Sequence, residues 1–131
     1  MRNYAIAILF AMAIQIQLDK SNLQPGESLA GSVHWDFATE PTLLTLEVYW
    51  ETAGKGTGDS ETLLSEEWKP DSKKGDKRFQ WPLPRGPISV QGNLVSIRWV
   101  VQCTSKRPKE SAEVTFILSH LGSYIRLVPA S

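Results

Sequence analysis

The stretch Phe79-Gln80-Trp81-Pro82-Leu83-Pro84-Arg85-Gly86-Pro87-Ile88-Ser89, followed by Gly92 and the run Leu94 to Cys103, decides the fold. Phe79, Trp81 and Leu83 alternate with polar or proline positions, the period of a strand that buries one face. Pro82 and Pro84 have no N–H to give a central ladder, so this strand belongs at a sheet edge or leaves the sheet there. Pro84 to Gly92 then reads as a rigid crossover. The strand beyond it carries Val95, Ile97, Trp99, Val101 and Cys103 on one face, which makes it the best candidate for a central core strand.

The same period extends in both directions. Ile14, Ile16 and Leu18 alternate with Gln15, Gln17 and Asp19. Pro25-Gly26 marks a tight turn, because proline presets one turn residue and glycine accepts a positive φ at the next. Leu29, Gly31, Val33, Trp35 and Phe37 then share one face, as do Leu44, Leu46, Val48 and Trp50 after the break at Glu40-Pro41. Further strands are expected over Thr62 to Trp68 and Ala112 to Leu118. Helical periodicity is absent, and seven or eight short strands separated by Pro, Gly, Asp and Ser turns predict an all-β, antiparallel, immunoglobulin-like sandwich. At 131 residues the chain fits one domain with its core over 14–118, the segments 1–13 and 119–131 being less defined. The tail holds Tyr124, Ile125, Leu127 and Val128, enough apolar surface to pair with an edge.

Two segments resemble arrestin-type domains. Gln24-Pro25-Gly26-Glu27-Ser28-Leu29-Ala30-Gly31-Ser32-Val33 is similar to the turn and first long strand of that family, with glycine at the same offset. Phe79 to Ser89, Gly92 and Ile97-Arg98-Trp99 are similar to its Phe-x-Phe-x-Leu-Pro, Pro-x-Ser, Gly and Ile-Arg-Tyr pattern, with Trp81 and Trp99 where relatives more often have Phe and Tyr. The resemblance spans Ile14 to Leu118 and is to a single lobe like the arrestin N-terminal domain. It implies an arrestin-like sandwich and a non-enzymatic, cytoplasmic role in trafficking, signalling or stress-linked scaffolding.

Lys plus Arg and Asp plus Glu both number 14, so the net charge is zero and the field that recruits nucleic acid is missing. Neither His34 nor His120 has another ligand at metal spacing, Cys103 falls on an apolar face, and the glycines at 54, 56 and 58 lack the spacing of a phosphate loop. No catalytic residue, metal or cofactor is expected. A lone cysteine favours a reducing compartment. Against this stands the apolar run Tyr4 to Ile14 behind Arg2, which ends in Ala11-Met12-Ala13 like a short signal peptide, or else forms a strand over Ala5 to Phe10.

The expectation is therefore a binding module for a protein or peptide, with self-association through an edge as a variant. Two surfaces are candidates. One is the first edge strand, where Gln15 and Gln17 face outward and offer donors to a partner strand. The other is a basic loop with Lys73, Lys74, Lys77 and Arg78, suited to an acidic peptide or, less strongly, an anionic membrane surface. The alternative is a secreted or envelope carbohydrate-binding sandwich. It needs tryptophans exposed on one plane, and Trp68 is the one expected to be most exposed.

Overall fold

The computed structural model describes residues 13–54, 58–92, 95–120 and 125–127. The expected strand over Ala5 to Phe10, or signal sequence, lies outside them, as does most of the tail. The described residues form ten strands: β1 (Ile14–Leu18), β2 (Asn22–Leu23), β3 (Ser28–Asp36), β4 (Leu44–Gly54), β5 (Ser60–Trp68), β6 (Lys74–Pro82), β7 (Val90–Gly92), β8 (Val95–Lys106), β9 (Lys109–Leu118) and β10 (Ile125–Leu127). They form a three-stranded sheet, β1-β3-β6, and a seven-stranded sheet ordered β10-β7-β8-β4-β5, with β9 pairing β8 and β2. This is the expected all-β sandwich. Two of its pairings, β10 with β7 and β2 with β9, are parallel.

Alternation explains which side chains meet. Ile14, Leu29, Val33, Trp35 and Phe79 from the small sheet face Leu44, Leu46, Val48, Trp99, Val101, Cys103, Phe116 and Leu118 from the large one, all buried. β8 holds β4 along one side and β7 and β9 along the other, as its apolar face suggested. Val100 lies on the opposite face of β8, yet it too is fully buried, between Tyr49 and Thr115. Each such side chain removed from water contributes about 1.5–3 kcal/mol, so these rows hold the sheets together.

The family-like residues prove to be structural pins. Glu27 N–H donates to the Gln24 carbonyl at 3.0 Å, closing a turn in which Gly26 has φ 86°, a conformation that Pro25-Gly26 supplies without strain. A Cβ on Gly31 would overlap the Gln17 carbonyl oxygen and sit 2.9 Å from the Phe79 ring. Glycine is therefore what lets β1, β3 and Phe79 pack closely. The Trp99 indole N–H donates to the Pro87 carbonyl at 2.7 Å, and the Ser89 hydroxyl accepts from Leu118 N–H at 2.9 Å, tying the crossover to β8 and β9.

The basic run departs from expectation. β6 begins at Lys74 and not at Phe79, so Lys74, Lys77 and Arg78 lie on a strand, and only Lys73 remains in the connection. The register to β3 carries this extension, pairing Asp36 with Lys74 and Val33 with Lys77. Charged strand residues hide the period from composition, and Trp35 on the neighbouring strand supplies the cover, its indole stacked against Gly75.

Candidate functional site

The outer face of the three-stranded sheet is polar apart from Ala30 and Pro82. Pairing places Gln15, His34 and Asp76 in one row across β1, β3 and β6, and Gln17, Ser32 and Arg78 in the next. A shallow groove of about 490 Å³ crosses the first row, lined by Ala13, Gln15, His34, Asp36, Lys74 and Asp76 with the edge of Trp35. His34 Nδ1 lies 3.9 Å from the Asp76 carboxylate. The groove therefore joins one residue of each expected surface, Gln15 from the edge strand and Lys74 from the basic run.

The rest of the basic run is divided. Arg78 shares the outer face but is held by Asp19, Nη1 to Oδ1 at 2.9 Å and Nη2 to Oδ2 at 2.7 Å, with Ser32 also in reach. Lys77, one residue earlier, points the other way: its Nζ is 3.1 Å from Glu66 and 5.5 Å from the centre of the Trp68 ring. Lys73 and Lys74 are exposed and have no ion pair among the described residues. The expected cluster of Lys73, Lys74, Lys77 and Arg78 is thus not one patch, because strand alternation sends Lys77 to the opposite face from Lys74 and Arg78.

Register also decides which backbone groups an incoming strand meets. Asp36 N–H donates to the Ala13 carbonyl and Asp19 N–H to the Ala30 carbonyl, both at 2.9 Å. Hydrogen-bonded and non-bonded pairs alternate in an antiparallel ladder, so Gln15 and Gln17 spend their backbone groups on His34 and Ser32. Among the described residues, the N–H and C=O groups of β1 left without a ladder partner belong to Ile14, Ile16 and Leu18. The expectation that Gln15 and Gln17 offer donors to a partner is corrected: only their side chains face outward. On β6, Phe37 N–H donates to the Lys73 carbonyl and Leu83 N–H to the Glu27 carbonyl, which turns the even-numbered residues to the open edge. Pro82 falls there, where a missing N–H costs the internal ladder nothing.

Ionisable groups elsewhere are structural. The Arg78 hydrogen bonds lower the Asp19 pKa, and the Lys20 hydrogen bond, with one from Gln24 N–H, lowers that of Glu27. On the outer face of the large sheet Arg98 joins Glu51 and Glu113. Partial burial, then the Glu113 charge, raises the Tyr49 pKa. Burial pushes the Cys103 thiol up to about 12, leaving it a poor nucleophile at neutral pH. Among the described residues no three His, Cys, Asp or Glu side chains gather as metal ligands would.

The tryptophans do not form an exposed plane. Trp35 and Trp99 are buried, and Trp50, Trp68 and Trp81 are half-buried against the core. Trp68 was expected to be the exposed one. Its pairing with Leu44 turns it inward, with its ring centre 6.0 Å from that of Trp35.

No protein-family model and no curated protein sequence matches the chain. In fold it is similar to the crystal structure of Spo0M, the sporulation control protein of Bacillus subtilis, with a TM-score of 0.58 and 20% identity over 83% of this chain and 49% of that one. The chain therefore spans about half the length of Spo0M. Weaker overlaps occur with a β-glucosidase from Listeria innocua, TM-score 0.44 at 18% identity over 86% of this chain and 16% of the enzyme. A third is with the Pseudomonas fluorescens alkylpurine DNA glycosylase AlkC, TM-score 0.39 at 17% identity over 88% of this chain and 33% of that one. At these scores neither enzyme says anything about chemistry here. The Spo0M likeness is one of fold, and it supports the arrestin-like architecture.

Proposed function

We propose that this protein is a non-enzymatic interaction module of arrestin-like fold, working in the cytoplasm, that takes an extended segment of a partner protein along β1. One observation carries the reading: among the described residues β1 pairs with β3 alone, leaving the alternate backbone groups of Ile14, Ile16 and Leu18 available. Main-chain hydrogen bonds to these groups supply affinity, and side chains on the outer face supply choice. Gln15, His34 and Lys74 in the groove, with Gln17 beyond it, are the selecting side chains. The regulatory name of Spo0M fits a non-enzymatic role, and a secreted carbohydrate binder lacks its aromatic platform among the described residues.

The test is photo-crosslinking from Gln17 in native lysate. Ile16→Pro removes a free donor, and Ile16→Ala keeps that donor while losing comparable side-chain volume. Adducts should form with the wild type and with Ile16→Ala and vanish with Ile16→Pro. Equal capture by both variants refutes strand addition at β1.

A further inference from the structure

The side of the sandwich opposite β1 is bounded by two edge strands of opposite charge. Among the described residues β5 pairs only with β4 and β6 only with β3. β5 carries Glu61, Glu66 and Glu67 and no basic residue, whereas β6 and the residue before it carry Lys73, Lys74, Lys77 and Arg78 against the single Asp76. The two strands lie on the same side, since Lys77 reaches Glu66 at 3.1 Å and sits over Trp68. With that pair and the Arg78–Asp19 pair closed internally, Glu61 and Glu67 on one edge and Lys73 and Lys74 on the other have no ion pair among the described residues. All four are exposed.

We infer that this side is a self-association surface, on which β5 of one copy lies against β6 of a second copy, and the reverse, about a two-fold axis parallel to the strands. Such an axis brings each acidic edge to a basic edge twice, and every residue of the contact serves both halves of a closed dimer. β5 and β6 are joined by the short connection 69–73 and meet again at Glu66 and Lys77 on either side of it, so the two strands run in opposite directions and β5 meets the second β6 antiparallel. The outer faces also coincide, which sets the exposed Glu67 beside Lys74 of the second copy. A two-fold axis perpendicular to the sheets would instead oppose β5 to β5 and β6 to β6, acid to acid and base to base, which is unfavourable. The surface is independent of the β1 reading, because β1 and β6 are opposite edges of their sheet. An acidic peptide or an anionic membrane uses only the β6 half of this side and leaves the acidic β5 unexplained.

A charge exchange in the full chain tests it by sedimentation velocity. Lys73→Glu/Lys74→Glu makes β6 and the residue before it net acidic, and Ser65→Lys/Glu67→Lys makes the outer face of β5 basic, all at exposed positions. The wild type should dimerise with concentration and dissociate as salt is raised, by about tenfold or more in Kd between low and physiological ionic strength. Each variant alone should be monomeric, since like charges then face each other at both contacts. An equimolar mixture of the two should dimerise again, because both contacts become complementary. A monomeric wild type at low salt, variants that dimerise as well as the wild type, or a mixture that stays monomeric overturns the inference.

Discussion

Two proline substitutions one residue apart on β1 should differ sharply in stability. Gln17 belongs to a hydrogen-bonded pair with Ser32, and Ile16 to a non-bonded pair with Val33. Gln17→Pro removes a ladder bond with a net value of about 1 kcal/mol and orphans the half-buried Ser32 carbonyl, at a further 1–2 kcal/mol or so. Both substitutions draw φ from about −140° towards −65°, a cost they share, so the lost bond and orphaned acceptor set Gln17→Pro apart by roughly 2–3 kcal/mol. Ile16→Pro breaks no internal bond. It trims a half-buried side chain, which costs on the order of 1 kcal/mol, and both variants regain about 0.5 kcal/mol from a stiffer unfolded chain. Urea unfolding followed by far-ultraviolet circular dichroism measures the difference. With a slope of about 1–3 kcal/mol/M, the midpoint of Gln17→Pro should lie roughly 1 M or more below that of Ile16→Pro. Equal midpoints, or the reverse order, would mean that the ladder has the other phase and that the donors assigned to partner binding are internal.

Two further outcomes follow from the pins and the ion pairs. Trp99→Phe loses the bond to the Pro87 carbonyl and leaves both a smaller ring and an unpaired acceptor, so denaturant unfolding should show a loss of about 2–4 kcal/mol. Trp50→Phe, whose indole donates to Glu61 at the exposed rim, should cost under about half of that. Asp19 and Glu27 have folded pKa values below their unfolded ones, so their contribution is present above the ordinary carboxylate range and is lost as pH falls through the lowered values. Asp19→Asn should accordingly flatten the decline in thermal midpoint between about pH 5 and pH 3 relative to the wild type. An unchanged slope would show that the Arg78 pairing contributes nothing to acid stability.

The strands legible in the sequence were those whose inward positions are apolar. Leu44, Leu46 and Val48 announce β4, and Pro82 places β6 at an edge correctly, because a missing donor is a property of the residue itself. The start of β6 was not legible: Lys74, Gly75, Asp76, Lys77 and Arg78 hold no aliphatic residue, and Gly75 is inward only because Trp35 of β3 fills the space above it. The short strands β2, β7 and β10 each have two or three residues, too few for a period. In the site, the outward direction of Gln15 and Gln17 follows from alternation within one strand. The phase of their hydrogen bonds depends on which β3 residues stand opposite, and that long-range fact has no local signature. The separation of Lys77 from Lys74 and Arg78 was hidden for the same reason, since alternation has meaning only once the segment is known to be a strand.

The residues that carry the family likeness argue against using it to name a partner. Gly31 is needed by the Gln17 carbonyl and the Phe79 ring, Pro87 and Ser89 by Trp99 and Leu118, and Pro25-Gly26 by the turn. Each is spent on the interior or on a bend, so each can recur in any protein that needs this lobe, whatever it binds. The side chains that distinguish partners, Gln15, His34 and Lys74 in the groove and the charged residues of β5 and β6, are none of these. Fold and recognition are therefore encoded by different positions. Substituting the first set should unfold the protein, and substituting the second should change what it holds while leaving its unfolding midpoint nearly unmoved.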